Sequence, residues 1–157
     1  MPAAISVERV TEPNDDVRAL VEELERELST HYAPEQRHGL KLEALFMPHI
    51  RFFVARVNGE PVGCGGVALF ADFAELKRMY VRPESRGGGA ADAIVARLQN
   101  EAEGAGLKHL RLETGSAQLA AIRFYERHGF RICEAFEPYS SLAPHAIATS
   151  VFMEKRL

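Results

Sequence analysis

Ile5-Ser6-Val7-Glu8-Arg9-Val10 alternates apolar and polar side chains, the period-two signature of a strand with one buried face. The period then changes. Val17, Leu20, Val21, Leu24 and Leu28 recur at helical spacing, which predicts a helix to about Ser29 with Glu22, Glu23, Glu25 and Arg26 on its wet face. Asn14, Asp15 or Asp16 supplies its cap. A second, weaker helix is expected from Pro34 or Glu35 to Phe46. Phe52–Val57 reads as a strand, Asn58-Gly59 as a type I′ hairpin turn, and Val62–Leu69 as the returning strand. After a turn near Asp72, Ala74–Val81 completes an antiparallel meander.

Downstream, Ala91, Ile94, Val95, Leu98 and Ala102 again fall on one helical face, and Gly104-Ala105-Gly106 stops that helix. His109–Thr114 alternates as a strand. A helix from Ala117 to His128 ends at Gly129, and strands are predicted over 130–135 and 149–155. Strand 74–81, helix 90–103 and strand 107–114 form a β-α-β crossover. The pattern gives an α/β class with a mixed sheet flanked by helices, in one domain over residues 1–157. In such sheets ligands sit at the carboxyl ends of the parallel strands.

Charge and cysteine content narrow the classes. A net charge of −3 supplies no general drive toward nucleic acid or an anionic membrane. There is no apolar run of membrane-spanning length, nor a basic-then-apolar leader. Cys64 and Cys133 lack metal spacing and read as buried free thiols. These features are consistent with a cytoplasmic protein. His31, His38, His49, His109, His128 and His145 show no ligand spacing, so no metal is expected.

The candidate chemistry centres on Val81-Arg82-Pro83-Glu84-Ser85-Arg86-Gly87-Gly88-Gly89-Ala90-Ala91. A strand ends there, three glycines follow, and a helix begins. Helix N-terminal N–H groups and the helix dipole suit a phosphate, and glycine lets it approach the backbone. No Lys follows the glycines, so this is not a nucleotide-hydrolase loop. The loop also comes too late in the chain for a dinucleotide fold. Taken alone, it is either a phosphate cradle or a glycine-rich helix start.

Arg86-Gly87-Gly88-Gly89-Ala90-Ala91 resembles the Arg/Gln-x-x-Gly-x-Gly/Ala signature of the GNAT N-acetyltransferase superfamily. Ala121-Ile122-Arg123-Phe124-Tyr125-Glu126-Arg127-His128-Gly129-Phe130 resembles its second signature, and Ala74–Val81 its central strand. Order and spacing of all three match, over roughly residues 50–157. The resemblance implies the GNAT acyl-CoA N-acyltransferase fold and acetyl-CoA as co-substrate. It implies that the two parallel strands splay, with the pantetheine arm between them. Met79, Tyr80 and Val81 would contact that arm through their backbone, and Arg86, Gly87, Gly88, Gly89, Ala90 and Ala91 would hold the diphosphate. Where relatives carry a cofactor-binding Asn, this chain has Gln118.

The implied chemistry is direct attack of an amine on the thioester. Tyr125 matches the family tyrosine near the sulfur, as general acid, or is a packed aromatic. Glu113 and Glu75 match two different family positions for the base, or are solvated strand residues. His31, Tyr32 and Phe46 fall where relatives build the acceptor wall. Leu112-Glu113-Thr114-Gly115 with Ser150-Val151-Phe152-Met153 resembles a bacterial subgroup acting on small molecules. The expected activity is acetylation of a small primary amine. Acetylation of a protein N-terminus or lysine, and an acyl-CoA sensor without turnover, stand beside it. Relatives often pair as homodimers through C-terminal strands; here the apolar 147–152 segment serves that contact or the core.

Overall fold

The computed structural model describes residues 4–157. Strand β1 (Ile5–Val10) leads to helix α1 (Asp15–Ser29), whose first turn is capped by the Asn14 side chain accepting from the Val17 N–H at 2.9 Å. The meander follows as β2 (Ile50–Val57), β3 (Glu60–Leu69) and β4 (Ala74–Val81). Asn58 and Gly59, both at positive φ, make the β2–β3 turn, as a type I′ turn requires. Helix α2 (Ala90–Gly104) crosses to β5 (His109–Gly115), and α3 (Leu119–Arg127) leads to β6 (Arg131–Cys133). A short helix, α4 (Pro144–Ile147), precedes β7 (Ser150–Arg156).

The seven strands form one mixed sheet in the order β1-β2-β3-β4-β5-β7-β6. Apolar alternation buries both faces. On one, Ile94, Leu98 and Leu112 join Tyr125, Phe130 and Met153 beneath α2 and α3. On the other, Val17, Leu20 and Leu24 of α1 meet Leu45, Phe52 and Val54. Phe136, Tyr139 and Phe152 make a smaller aromatic cluster.

Two expectations change, and one open alternative is resolved in part. The predicted helix over 34–46 is instead two 3₁₀ turns, Pro34–Gln36 and Leu42–Phe46. Gly39 lies between them, where a Cβ would collide with the Arg78 guanidinium; the chain bends to admit that side chain rather than continuing a helix. The strand expected over 130–135 is only Arg131–Cys133, an outer edge paired with β7 alone. Phe136 turns inward to the aromatic cluster, which ends the pairing. The apolar 147–152 segment contributes a buried Phe152, so that part of it is core.

Two irregularities position the site. Strands β4 and β5 pair in parallel only at Ala74–Leu110 and Glu75–Arg111, then diverge. Opposite β3, two residues of β4, Arg78 and Met79, stand against the single Gly65, a β-bulge. Arg78 takes φ 54 there, a left-handed conformation disfavoured for a side-chain-bearing residue.

Candidate active site

The gap between β4 and β5 joins the two faces of the sheet. One cleft of about 820 Å³ runs through it, lined at one end by Gly87, Gly89, Ala90 and Ala91 and at the other by Glu75, Lys77, Glu113 and Tyr139. Tyr125 and Gln118 line the passage between.

At the first end the chain offers backbone. Gly87 (φ 83) and Gly89 (φ 93) are left-handed, and Gly89 is the N-cap of α2. The first N–H groups of that helix have no intrahelical acceptor. A Cβ at Gly87 would meet nothing within 4 Å, leaving space against the loop. These residues fit a diphosphate. Gly88 is in the same loop without lining the cleft. Arg86 stands beside it, its Nε donating to the Val81 carbonyl at 2.9 Å and its Nη2 to Glu27 at 2.9 Å. Along the gap, Met79, Tyr80 and Val81 line the cleft beyond the last β4–β5 pair. The Val81 carbonyl is taken up by Arg86, and the gap-facing groups of this stretch that remain are left for a partner that mimics a strand.

At the second end the period of two sets the chemistry. It puts Glu75 and Lys77 of β4 on the same face as Glu113 of β5. Glu75 is 1% exposed, and its Oε2 accepts from the Tyr139 hydroxyl at 2.5 Å and pairs with Lys77 Nζ at 2.9 Å. Lys77 Nζ also donates to the Tyr139 oxygen at 2.7 Å. Burial, then the charge and hydrogen bond of Glu75, push the Tyr139 phenol well above its ordinary range. Oε2 is fully engaged in this triangle, while Glu75 Oε1 is buried with no hydrogen-bond partner among the described residues.

Glu113 differs. Its carboxylate accepts from Ser150 Oγ at 2.7 Å and has no salt-bridge partner among the described residues. Burial raises its pKa above the usual carboxylate value, only partly opposed by the Ser150 hydrogen bond and by His38 and Lys77. Tyr125 is buried between Phe124 and Phe130, and desolvation raises its pKa so that the phenol stays protonated.

His31 and Tyr32 line the cleft, as expected. The Tyr32 hydroxyl accepts from the Ala117 N–H at 3.0 Å, and its ring lies so close to Gly115 that a Cβ there would overlap it. Phe46 does not line the cleft. It packs against Phe52 at 6.0 Å between ring centres, beneath α1, because the 3₁₀ turn carries it inward. Residues not anticipated as site residues are Lys77, Tyr139, His38 and Ser150. Tyr139 lies in an irregular segment without periodicity, so nothing in the sequence aims it at Glu75.

That segment also contacts residues at the Glu113 end of the cleft. His38 Nε2 meets the Ala146 carbonyl at 2.7 Å, Gln36 Nε2 reaches the His145 carbonyl at 3.5 Å, and His145 pairs with Glu35 at 3.4 Å. The His38 ring stands edge-on to Tyr139 at 5.6 Å. Two chain segments more than a hundred residues apart thus meet behind Gln36 and His38, which line the cleft.

The acetyltransferase (GNAT) family profile matches residues 16–130. The IAA acetyltransferase of Azospirillum brasilense is 41% identical over 155 residues, covering 98% of each chain. The chain belongs to the GNAT acetyltransferase family. It is an N-acetyltransferase of the acetyl-CoA-dependent class. The solved structure of a Klebsiella pneumoniae protein assigned as an acyl-CoA N-acyltransferase superposes with a TM-score of 0.78 at 32% identity, covering 98% of this chain and 97% of that one. Rv2747 of Mycobacterium tuberculosis, solved in complex with CoA and NLQ, has the same fold (TM-score 0.73, 23% identity, 97% and 99% covered).

Among the described residues no cluster of three or more His, Cys, Asp or Glu is placed to hold a metal ion. No helix among them is long and apolar enough to cross a membrane.

Proposed function

We propose that this chain, acting as a single acetyltransferase domain, moves the acetyl group of acetyl-CoA to a primary amine of a small molecule, both substrates being bound together. One observation carries the reading: a continuous cleft joins the left-handed glycines to a half-buried carboxylate without a cationic partner among the described residues. The thioester supplies an activated carbonyl. Residues 79–81 orient the pantetheine arm through backbone groups freed by the strand gap, and residues 86–91 with Gln118 hold the rest of the donor.

Glu113 is the base. An alkylammonium is mostly protonated near neutral pH, and a carboxylate raised by burial accepts its proton more readily. The freed amine nitrogen bonds to the acetyl carbon, the carbon–sulfur bond breaks, and the extra proton left on the nitrogen restores the one that Tyr125 gives to the sulfur. Tyr125 is the acid: burial keeps its proton in place until the sulfur departs. Glu75 is the weaker candidate, because Lys77 and Tyr139 already occupy its Oε2.

The bridge from 35–38 to 145–146 favours a small acceptor over a peptide, which needs a groove open at both ends. Thiol release from acetyl-CoA, measured across a panel of small amines and lysine-bearing peptides, tests the assignment. Turnover is expected with small amines. Faster turnover of peptides would reverse the acceptor class, and acetyl-CoA binding without turnover on any acceptor would make the protein a sensor.

A further inference from the structure

Building on that acetyltransferase reading, we infer that the acceptor is an amino acid, whose carboxylate is bound by Arg37 and Arg78 while its amine faces Glu113. Both arginines line the cleft. Their side chains are only 20% and 5% exposed, and both lean on one carboxylate: Arg37 Nη1 meets Glu25 Oε2 at 3.1 Å, and Arg78 Nη2 meets Glu25 Oε1. Two guanidinium groups therefore share a single anion. Behind them a smaller cavity of about 410 Å³ adds Lys41 and Glu43, which offset one another. One positive charge stays uncompensated.

The donors show the same shortfall. Arg78 Nε donates to the Leu40 carbonyl at 2.9 Å, but Arg78 Nη1 and Arg37 Nε are buried with no hydrogen-bond partner among the described residues. A buried donor left unmade carries the full cost of its desolvation. Arginine's planar fork is shaped to take a second carboxylate. The other cation at this end, Lys77, is already neutralised by Glu75. The backbone is also bent to this purpose. Arg78 is held at φ 54 in the β4 bulge, and glycine at position 39 leaves room for its guanidinium. Such strain persists where surrounding structure holds it, and functional sites are its usual place.

Two arms test the inference. In the first, the L-amino acids and the β- and γ-amino acids of similar size are assayed by acetyl-CoA consumption, each beside its carboxamide. The acid is expected to exceed its amide in kcat/KM by about 30-fold or more, the scale of a buried charge pair. In Arg37→Ala that ratio should collapse by at least about tenfold. In the second arm, CoA-loaded protein is titrated calorimetrically with N-acetylglycine and N-acetyl-L-phenylalanine, and binding should be lost in Arg37→Ala. Arg37→Gln, which keeps the stem and a neutral amide, covers the case in which the alanine variant fails to fold. Amides turned over as well as acids, or acid and amide affected equally by both variants, would overturn the inference while leaving acetyl transfer intact. Carboxylate binding lost in the Arg37 variants, with no amine acetylated, would instead sustain the anion site and sink the catalytic reading. Neither binding nor turnover would sink both.

Discussion

The two ends of the cleft are built from different materials. The glycine end is backbone: left-handed glycines, helix N–H groups and a stretch of unpaired strand. The acceptor end is side chain: Glu75, Lys77, Tyr139, Glu113, Ser150 and His38, brought in from five separate parts of the chain. Backbone recognition suits a donor that never changes. Side-chain recognition can be altered one residue at a time, and on the proposed reading it is where an acceptor is chosen.

Within that end the proposed reading gives the two carboxylates different roles. Glu113→Gln should show the largest effect, a fall in kcat of about 10²–10⁴, with loss of the acidic limb of the pH–rate profile. That limb should lie above the ordinary carboxylate range, because burial raises the Glu113 pKa. The linked stability has a definite sign. A carboxyl raised in the folded state favours folding most below its unfolded pKa, and that contribution is lost as pH rises through the folded value. Glu113→Gln should therefore melt near the parent temperature at about pH 4 and above it at about pH 8. Equal melting temperatures at both would show that the folded state does not desolvate the Glu113 carboxylate.

Glu75→Gln should do the opposite. It leaves Lys77 buried without its counter-charge, so unfolding free energy should drop by about 3 kcal/mol in denaturant titration, while the acidic limb survives. An intact stability with a vanished limb would exchange the roles of the two residues. Next in size, Tyr125→Phe should lower kcat about tenfold with little change in acetyl-CoA affinity; an unchanged kcat would reduce Tyr125 to a packed aromatic. The smallest effect belongs to the glycine end. Gly87→Ala adds a Cβ into open space at positive φ, costing about 1 kcal/mol in backbone terms. Its acetyl-CoA dissociation constant should rise by more than that loss explains, and an unaltered constant would put the diphosphate elsewhere.

This division also explains what the sequence disclosed. Glycines 87–89, the strand before them and Tyr125 lie in contiguous runs where local pattern and structure coincide, so the course of the chain at the glycine end was readable. So was the alternation that puts Glu75 and Glu113 on strands flanking one gap. The Tyr139–Glu75–Lys77 triangle was not, since it depends on a long-range contact across 64 residues. Nor was the bulge at Arg78, because a single extra residue leaves no periodic trace. The helix expected over 34–46 failed for a related reason. Its apolar spacing is real, but Arg78 occupies the space at position 39.

The two-residue seam between β4 and β5 has a dynamic consequence. The sheet is two half-sheets hinged at Ala74 and Glu75, held together past that point by the α2 crossover rather than by a ladder. Gap-facing amides of Leu76–Val81 and Leu112–Gly115 should exchange with deuterium quickly in the free protein, while those bonded to β3 or β7 exchange slowly. A bound pantetheine arm would act as the missing strand and slow the fast set, so that the catalyst becomes one continuous sheet only while it holds its donor.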